Sequence, residues 1–196
     1  SFGARVEIAL CAGTIGSPQL PELSGIGDSS LLSARGIACH HHLPGVGEGL
    51  RDHVHTRLSF RCNRRGTLND ILANPVRKAL FAARYALCRN GLMAGSTSTA
   101  HVLTRSLPEL AQPDLKLQMH LLSAGDTRDP DKISFDPFPG FGIGSFALRP
   151  QSTGSVHVVS PDFRAPPRIC ANYLNAAQDL RTAIAGVRLA RAVARQ

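Results

Sequence analysis

The chain has no tryptophan, two tyrosines (Tyr85, Tyr173) and two methionines among 196 residues. Lysine is nearly as scarce: of 22 basic residues, three are Lys (Lys78, Lys116, Lys132) and the rest are Arg. The cations are spread along the whole sequence, with Arg64-Arg65 as the densest pair, and aromatic residues do not interleave them. A nucleic-acid binder concentrates its charge on one element and adds stacking rings, so the net charge of +8 does not point to that partner. No apolar run is long enough to cross a membrane. The five cysteines (Cys11, Cys39, Cys62, Cys88, Cys170) are odd in number and form no C-x-x-C. This excludes a disulfide framework and a zinc finger, and it fits a reducing, cytoplasmic compartment. G-x-S-x-G, Walker and H-E-x-x-H motifs are missing, and no G-x-G-x-x-G follows a strand.

What is present is a globular composition, 43% apolar and 18% charged, with length for one good-sized domain or two small ones. The chain starts at Ser1 rather than Met, and it ends at Gln196 inside a helical pattern. It reads as cut at both ends, so nothing follows about targeting segments.

Residues 6–11 are mostly apolar, as a buried strand of an α/β protein is. Ala12-Gly13-Thr14 breaks the run, and Ser17-Pro18 predicts a helix start, with the helix ending near Leu23. The Pro- and Gly-rich stretch 43–53 reads as a loop with special backbone geometry. From His53 the period becomes two: Val54, Thr56, Leu58, Phe60 and Cys62 alternate with His53, His55, Arg57, Ser59 and Arg61. That predicts a half-buried strand. Asn74-Pro75 and Gly91 bracket a helix over about 75–89, with Val76, Leu80, Ala83 and Leu87 on one face. Residues 115–121 alternate as a strand. Phe146/Leu148 and Val156/Val158 predict an antiparallel hairpin around the Gln151–Gly154 turn. A final helix starts in an Asn175/Gln178 capping box, with a stripe of Leu180, Ala183, Ile184, Val187, Ala190 and Ala194. Residues 124–144 have no period, and 125–142 are expected to form a flap over a ligand entrance.

His40-His41-His42 cannot converge on one ion, because adjacent residues of an extended chain face opposite ways. Asp126, Asp129, Asp131 and Asp136 lack the spacing of a calcium loop. No metal site is expected. Gln118 and His120 lie on the polar side of their strand, and His53 and His55 on that of theirs. Each set reads either as a solvated sheet face or as the lining of a ligand cavity.

Three ordered segments carry a resemblance. The first is Ala12-Gly13-Thr14-Ile15-Gly16-Ser17-Pro18-Gln19-Leu20 with Leu23-Ser24-Gly25-Ile26-Gly27. The second is Leu43-Pro44-Gly45-Val46-Gly47-Glu48 with Leu50 and Asp52-His53. The third runs from Leu148-Arg149-Pro150 through Gly154-Ser155-Val156, Ser160-Pro161 and Asn172-Tyr173-Leu174 to Gly186-Val187-Arg188. Pro113-Asp114-Leu115 with Gln118 and His120 adds a fourth piece. Together they resemble the glucose–methanol–choline family of flavin oxidoreductases. Pro21-Glu22 depart from the family's apolar residues, Gly49 from its usual Asn and Arg51 from its usual Gln.

The resemblance implies an FAD-dependent enzyme that oxidises an alcohol CH–OH to a carbonyl, with its histidine base beyond Gln196. It implies a mixed α/β and α+β fold: the end of an FAD-binding Rossmann-like domain (1–58) joined to an antiparallel-sheet substrate domain (59–196, with 143–196 opening the C-terminal region), incomplete at both termini. Strands near 115–121, 143–149 and 155–159 would share one sheet over the substrate. Ala12, Gly13, Thr14, Ser17, Asp52 and His53 would lie by FAD, and Gln118 and His120 by a small alcohol. A quaternary ammonium needs an aromatic or anionic cage, which disfavours choline here. A hydroxynitrile lyase on the same fold and a basic nucleic-acid or partner-binding module stay as alternatives.

Overall fold

The computed structural model describes residues 4–96, 98–125 and 134–196. In chain order the elements are α1 (Gly13–Leu23), β1 (Ile26–Gly27), α2 (Ser29–Ser33), β2 (His41–His42), β3 (Glu48–Leu50), β4 (Thr56–Arg61), α3 (Leu68–Ala73), α4 (Pro75–Cys88), β5 (Ser98–Thr104), β6 (Leu115–His120), β7 (Gly140–Ala147), β8 (Gly154–His157), β9 (Arg168–Cys170) and α5 (Ala177–Val193). They form two compact units. The first is Ser1–Asp52 with Pro150–Ala176, and the second is His53–Arg149 with Ala177–Gln196. The boundary expected at 58/59 falls inside β4, whose pairing with β7 holds it in the second unit. Residues 150–176 return to the first unit, where β8 pairs with β3.

In the first unit, residues 6–11 are not a buried strand. They have no regular structure, with a bend at Val6, which is 93% exposed. A strand needs a hydrogen-bonded neighbour, and no described strand pairs with this run. The helix that follows begins at Gly13, four residues before the expected Ser17 cap. Gly13 has φ +76, a left-handed conformation that glycine enters without penalty, so the chain turns there. Ser17 is then inside α1, as are Pro18 and Pro21. Asp28 caps α2 by accepting from the Leu31 N–H at 2.9 Å, and Leu32, Ile37 and Val158 make a small core. β1 and β2 pair in parallel, and β3-β8-β9 form an antiparallel sheet.

The second unit is built on the antiparallel sheet β4-β7-β6-β5. Its inward face carries Leu58, Phe60, Leu115, Leu117, Phe141 and Ile143, packed against Leu189, Ala190 and Ala194. The alternation expected along β4 is present, and along β6 it holds from Leu115 to Gln118 but breaks at Met119, which is exposed at the far end of the strand. The expected hairpin of Phe146/Leu148 with Val156/Val158 is not. Both edges of β7 are taken by β4 and β6, and both edges of β8 by β3 and β9. Residues 155–159 therefore lie outside the sheet that holds 115–120 and 140–147.

α4 has the predicted bounds and cap: Asn74 Oδ1 accepts from the Val76 and Arg77 N–H groups at 3.0 and 3.1 Å. Its orientation differs from expectation. Phe81 and Tyr85 are the half-buried residues, whereas Val76, Leu80, Ala83 and Leu87 face solvent, Leu87 at 84% exposure. The two rings offer the larger apolar surface, and that face turns inward. α5 differs similarly. It buries Asp179, Thr182, Gly186 and Ala190 against the sheet and leaves Leu180 and Ile184 largely exposed. Its start is supported by Ser152 Oγ, which accepts from the Ala176 N–H at 3.0 Å, while Gln178 reaches Thr182 and Arg181.

Of the expected flap, residues 126–133, with Asp126, Asp129 and Asp131, lie outside the described residues. The flanks are anchored. Asn69, 1% exposed, donates to Ser123 O at 2.8 Å and Asp136 O at 3.0 Å and accepts from the Ser123 N–H at 2.9 Å. Ala124 and Phe135 form a bridge, and residues 140–142 belong to β7. Among the described residues no helix is long and apolar enough to cross a membrane.

Candidate functional site

Two surfaces concentrate the residues singled out from the sequence, one in each unit. In the first unit the N–H groups of the opening turn of α1 have no side-chain cap, so the positive end of the helix dipole is open. A cavity of about 250 Å³ lies beside that turn. It is lined by Thr14, Pro18 and the Gly47–Arg51 loop. Ala12, Gly13, Thr14 and Ser17 are thus together on one short stretch. Asp52 follows the lining loop and accepts from the Tyr173 hydroxyl at 2.5 Å, which holds the phenol above its ordinary pKa. His53 belongs to the other unit, where its ring lies 4.7 Å from Phe146 and its Nε2 is 3.2 Å from Leu148 O.

Glu22, one of the departures from the family pattern, is completely buried under this surface. Its Oε1 is 2.7 Å from His157 Nδ1, and its Oε2 accepts from the Val158 N–H at 2.8 Å. His157 Nε2 reaches Glu48 Oε1 at 2.9 Å. One imidazole therefore joins α1 to the Gly47–Arg51 loop through β8. Glu22 and His157 are 135 positions apart, so spacing along the chain held no signal of their pairing.

In the second unit the sheet face opposite the core is polar. The register puts Arg57 opposite Gly144, which faces Gln118 on β6, and Ser59 opposite Gly142, which faces His120. β7 contributes Gly140, Gly142 and Gly144 to this face, so the central strand is a bare trough. Side chains from the flanks cross it. A Cβ on Gly144 would come within 2.2 Å of His55 Nε2, and one on Gly142 within 3.2 Å of Arg57 Nε. The trough is a packing requirement, written in the sequence as Gly140-x-Gly142-x-Gly144. His55 lies 6.2 Å from His120 and edge-on to Phe146 at 5.5 Å. His120 Nε2 is buried and has no hydrogen-bond partner among the described residues. Burial lowers both imidazole pKa values, and the Arg57 charge adds to the shift in each, with Lys116 acting on His55 and the neighbouring imidazoles on His120. Both rings are neutral at pH 7, able to donate from one nitrogen and accept at the other.

Gln118 and His120 are thus brought together with His55 and, through Phe146, with His53. The sequence did not single out Arg57, Lys116 or Phe146. The period-two glycines of β7 were the signal that could have joined them. His40, His41 and His42 do not converge: His42 Nδ1 accepts from the Ser29 N–H at 3.1 Å, and β2 is exposed. Among the described residues no group of His, Cys, Asp and Glu could hold a metal ion.

No family model matches the sequence. Curated proteins do. The chain is 36% identical over all of its 196 residues to an oxygen-dependent choline dehydrogenase of Photobacterium profundum, covering 34% of that protein. It is 34% identical over 189 residues to a glucose dehydrogenase [FAD, quinone] of Drosophila melanogaster, covering 29% of it. The chain therefore spans about a third of the length of the curated relatives it matches. Among solved structures, a formate oxidase superposes with TM-score 0.76 at 21% identity, over 90% of this chain and 35% of that one. Pyridoxine 4-oxidase from Mesorbium loti superposes with TM-score 0.71 at 20% identity, over 95% and 32%. At these identities the structural likeness speaks to the fold.

Proposed function

The chain belongs to the glucose–methanol–choline family of oxidoreductases, and from that premise we propose that it forms part of an FAD-dependent enzyme oxidising an alcohol CH–OH to a carbonyl. The observation that carries this reading is similarity along the entire chain to a choline dehydrogenase. Relatives named as dehydrogenases and oxidases favour oxidation over the lyase alternative. Scattered cations give no support to a nucleic-acid module.

The residues present fit the cofactor. In this reading Ala12, Gly13, Thr14 and Ser17 bring open helix N–H groups and an approachable backbone to FAD, beside the Gly47–Arg51 loop that Asp52 follows. An electronegative part of the cofactor is stabilised at such a helix end, and Arg51 adds charge beside it. FAD, when bound, supplies the acceptor for the hydride that leaves the alcohol carbon. The chain's own contribution is positioning. Gln118 and His120, with His55, present neutral hydrogen-bonding groups that orient the alcohol over the glycine trough. The division into a cofactor unit and a substrate unit follows the same proposal.

The test is expression from the complete reading frame. The purified protein is expected to show a flavin absorbance band that bleaches when an alcohol is added without oxygen. A colourless protein that cannot be reconstituted with FAD would sink the reading.

A further inference from the structure

The charge on the sheet face is one-sided. The charged side chains that β4, β5, β6 and β7 direct to it are Arg57, Arg61 and Lys116, beside the imidazoles of His55, His101 and His120, and these strands direct no Asp or Glu there. The single aromatic ring central to the face, Phe146, already has neighbours. Lys116 Nζ lies 5.5 Å above it, and the rings of His53 and His55 pack against it at 4.7 and 5.5 Å. A quaternary ammonium is held by open aromatic faces or by carboxylates, and among the described residues this surface offers neither. Arg57 lies over the trough beside Gly142, and its hydrogen bond among the described residues, to Leu122 O, is long at 3.5 Å. Its guanidinium is a planar fork shaped for a carboxylate, and Lys116 supplies a second cation on the same face.

We propose that this face selects an alcohol that also bears a carboxylate, with Arg57 as the specificity-determining residue, and that choline is not the substrate. The inference rests on the reading of this face as the alcohol side of the enzyme. It departs from what the choline dehydrogenase relatives are named for, because it follows from the side chains of this chain alone.

The experiment uses the full-length, FAD-loaded protein and three alcohols of similar size: 3-hydroxypropanoate, 1-propanol and choline. Anaerobic flavin bleaching gives an apparent dissociation constant for each. Propanoate, which cannot be oxidised, is titrated in parallel by calorimetry, so that anion binding is read without turnover. The expected result is binding of 3-hydroxypropanoate about tenfold or more tighter than either other alcohol. Arg57→Gln should collapse that ratio and weaken propanoate by a similar factor, and Arg57→Lys should recover part of both. Because the readout is a ratio, a general loss of folded enzyme does not mimic it. Preference for choline or 1-propanol, or a ratio that survives Arg57→Gln, overturns the proposal. If none of the alcohols bleaches the flavin yet propanoate binds in an Arg57-dependent way, the anion site stands and the oxidation reading is what fails. If the alcohols bleach the flavin and propanoate does not bind, the anion site fails alone.

Discussion

Glu22 shows how a residue that looks misplaced in sequence is accommodated in three dimensions. A carboxylate with no exposure is unfavourable unless its oxygens are bonded, and both oxygens of Glu22 are, to His157 and the Val158 N–H. Glu22→Ala leaves His157 Nδ1 and that N–H unmatched, while His157 Nε2 keeps Glu48, and should destabilise the protein by about 2–4 kcal/mol, read as a shift in urea midpoint. Replacing the pair by Glu22→Leu with His157→Leu should recover part of this loss, because an apolar pair needs no partner, although the Val158 N–H stays orphaned. Equal midpoints for the single and double variants would contradict the pairing. His55 and His120 carry a pH dependence of known sign. Their folded pKa values are below the ordinary 6.5, first through burial and then through Arg57. Between the folded and unfolded values the unfolded chain binds more protons, so stability rises with pH there. It is complete above about 6.5 and is lost as pH falls through the folded values. Thermal midpoints from pH 7 downward should fall less steeply in a His55→Gln, His120→Gln double variant than in the native protein. Proton NMR should find both imidazole midpoints under 6.5.

At the scale of elements, α5 packs through its smallest side chains. A Cβ on Gly186 would lie 2.6 Å from Ser145 Oγ and 3.1 Å from Leu115 Cδ1. Gly186→Ala gains about 1 kcal/mol of helix propensity. The added methyl forces apart a close-packed helix–sheet contact, which costs roughly 1–3 kcal/mol, so a net loss of stability is expected. A raised melting temperature would mean that the helix moves away freely. α4 depends instead on its ends. Asn74→Ala removes the acceptor for two N–H groups and should cost about 1 kcal/mol, visible as a lower denaturation midpoint. Both helices turn a face inward that a count of large aliphatic residues does not select. In α4 two rings are preferred, and in α5 close approach is.

For the whole molecule, the net charge of +8 is distributed along the chain, and Arg57, Arg61 and Lys116 are the part of it that shares one sheet face. Each unit has its own small core. In the full-length protein, a cofactor that binds only the folded state should raise stability by about 2.7 kcal/mol at a hundred times its dissociation constant. Stripping FAD should therefore lower the melting temperature, and adding it back should restore the holo value. A melting temperature indifferent to FAD would argue against the cofactor assignment of Ala12–Ser17.

Local chemistry alone determined a good deal of this protein. Alternation placed β4 and β6, and Asn74-Pro75 with Gly91 bounded α4, because side-chain period and caps are properties of neighbouring residues. The ordered segments from Ala12 to Gly186 identified the family, and they put Gln118 and His120 on one polar face. Tertiary structure decided the rest. Residues 6–11 had the composition of a strand but not a partner, and pairing is a matter of a second segment. β7 and β8 looked like a hairpin, yet each had both of its edges claimed by distant strands. Pairings such as Glu22 with His157, or His55 over Gly144, join positions some 90 to 135 apart. Only the folded chain brings such groups within hydrogen-bond or van der Waals range, and that proximity makes the buried carboxylate stable and gathers His55, Arg57 and His120 on one face.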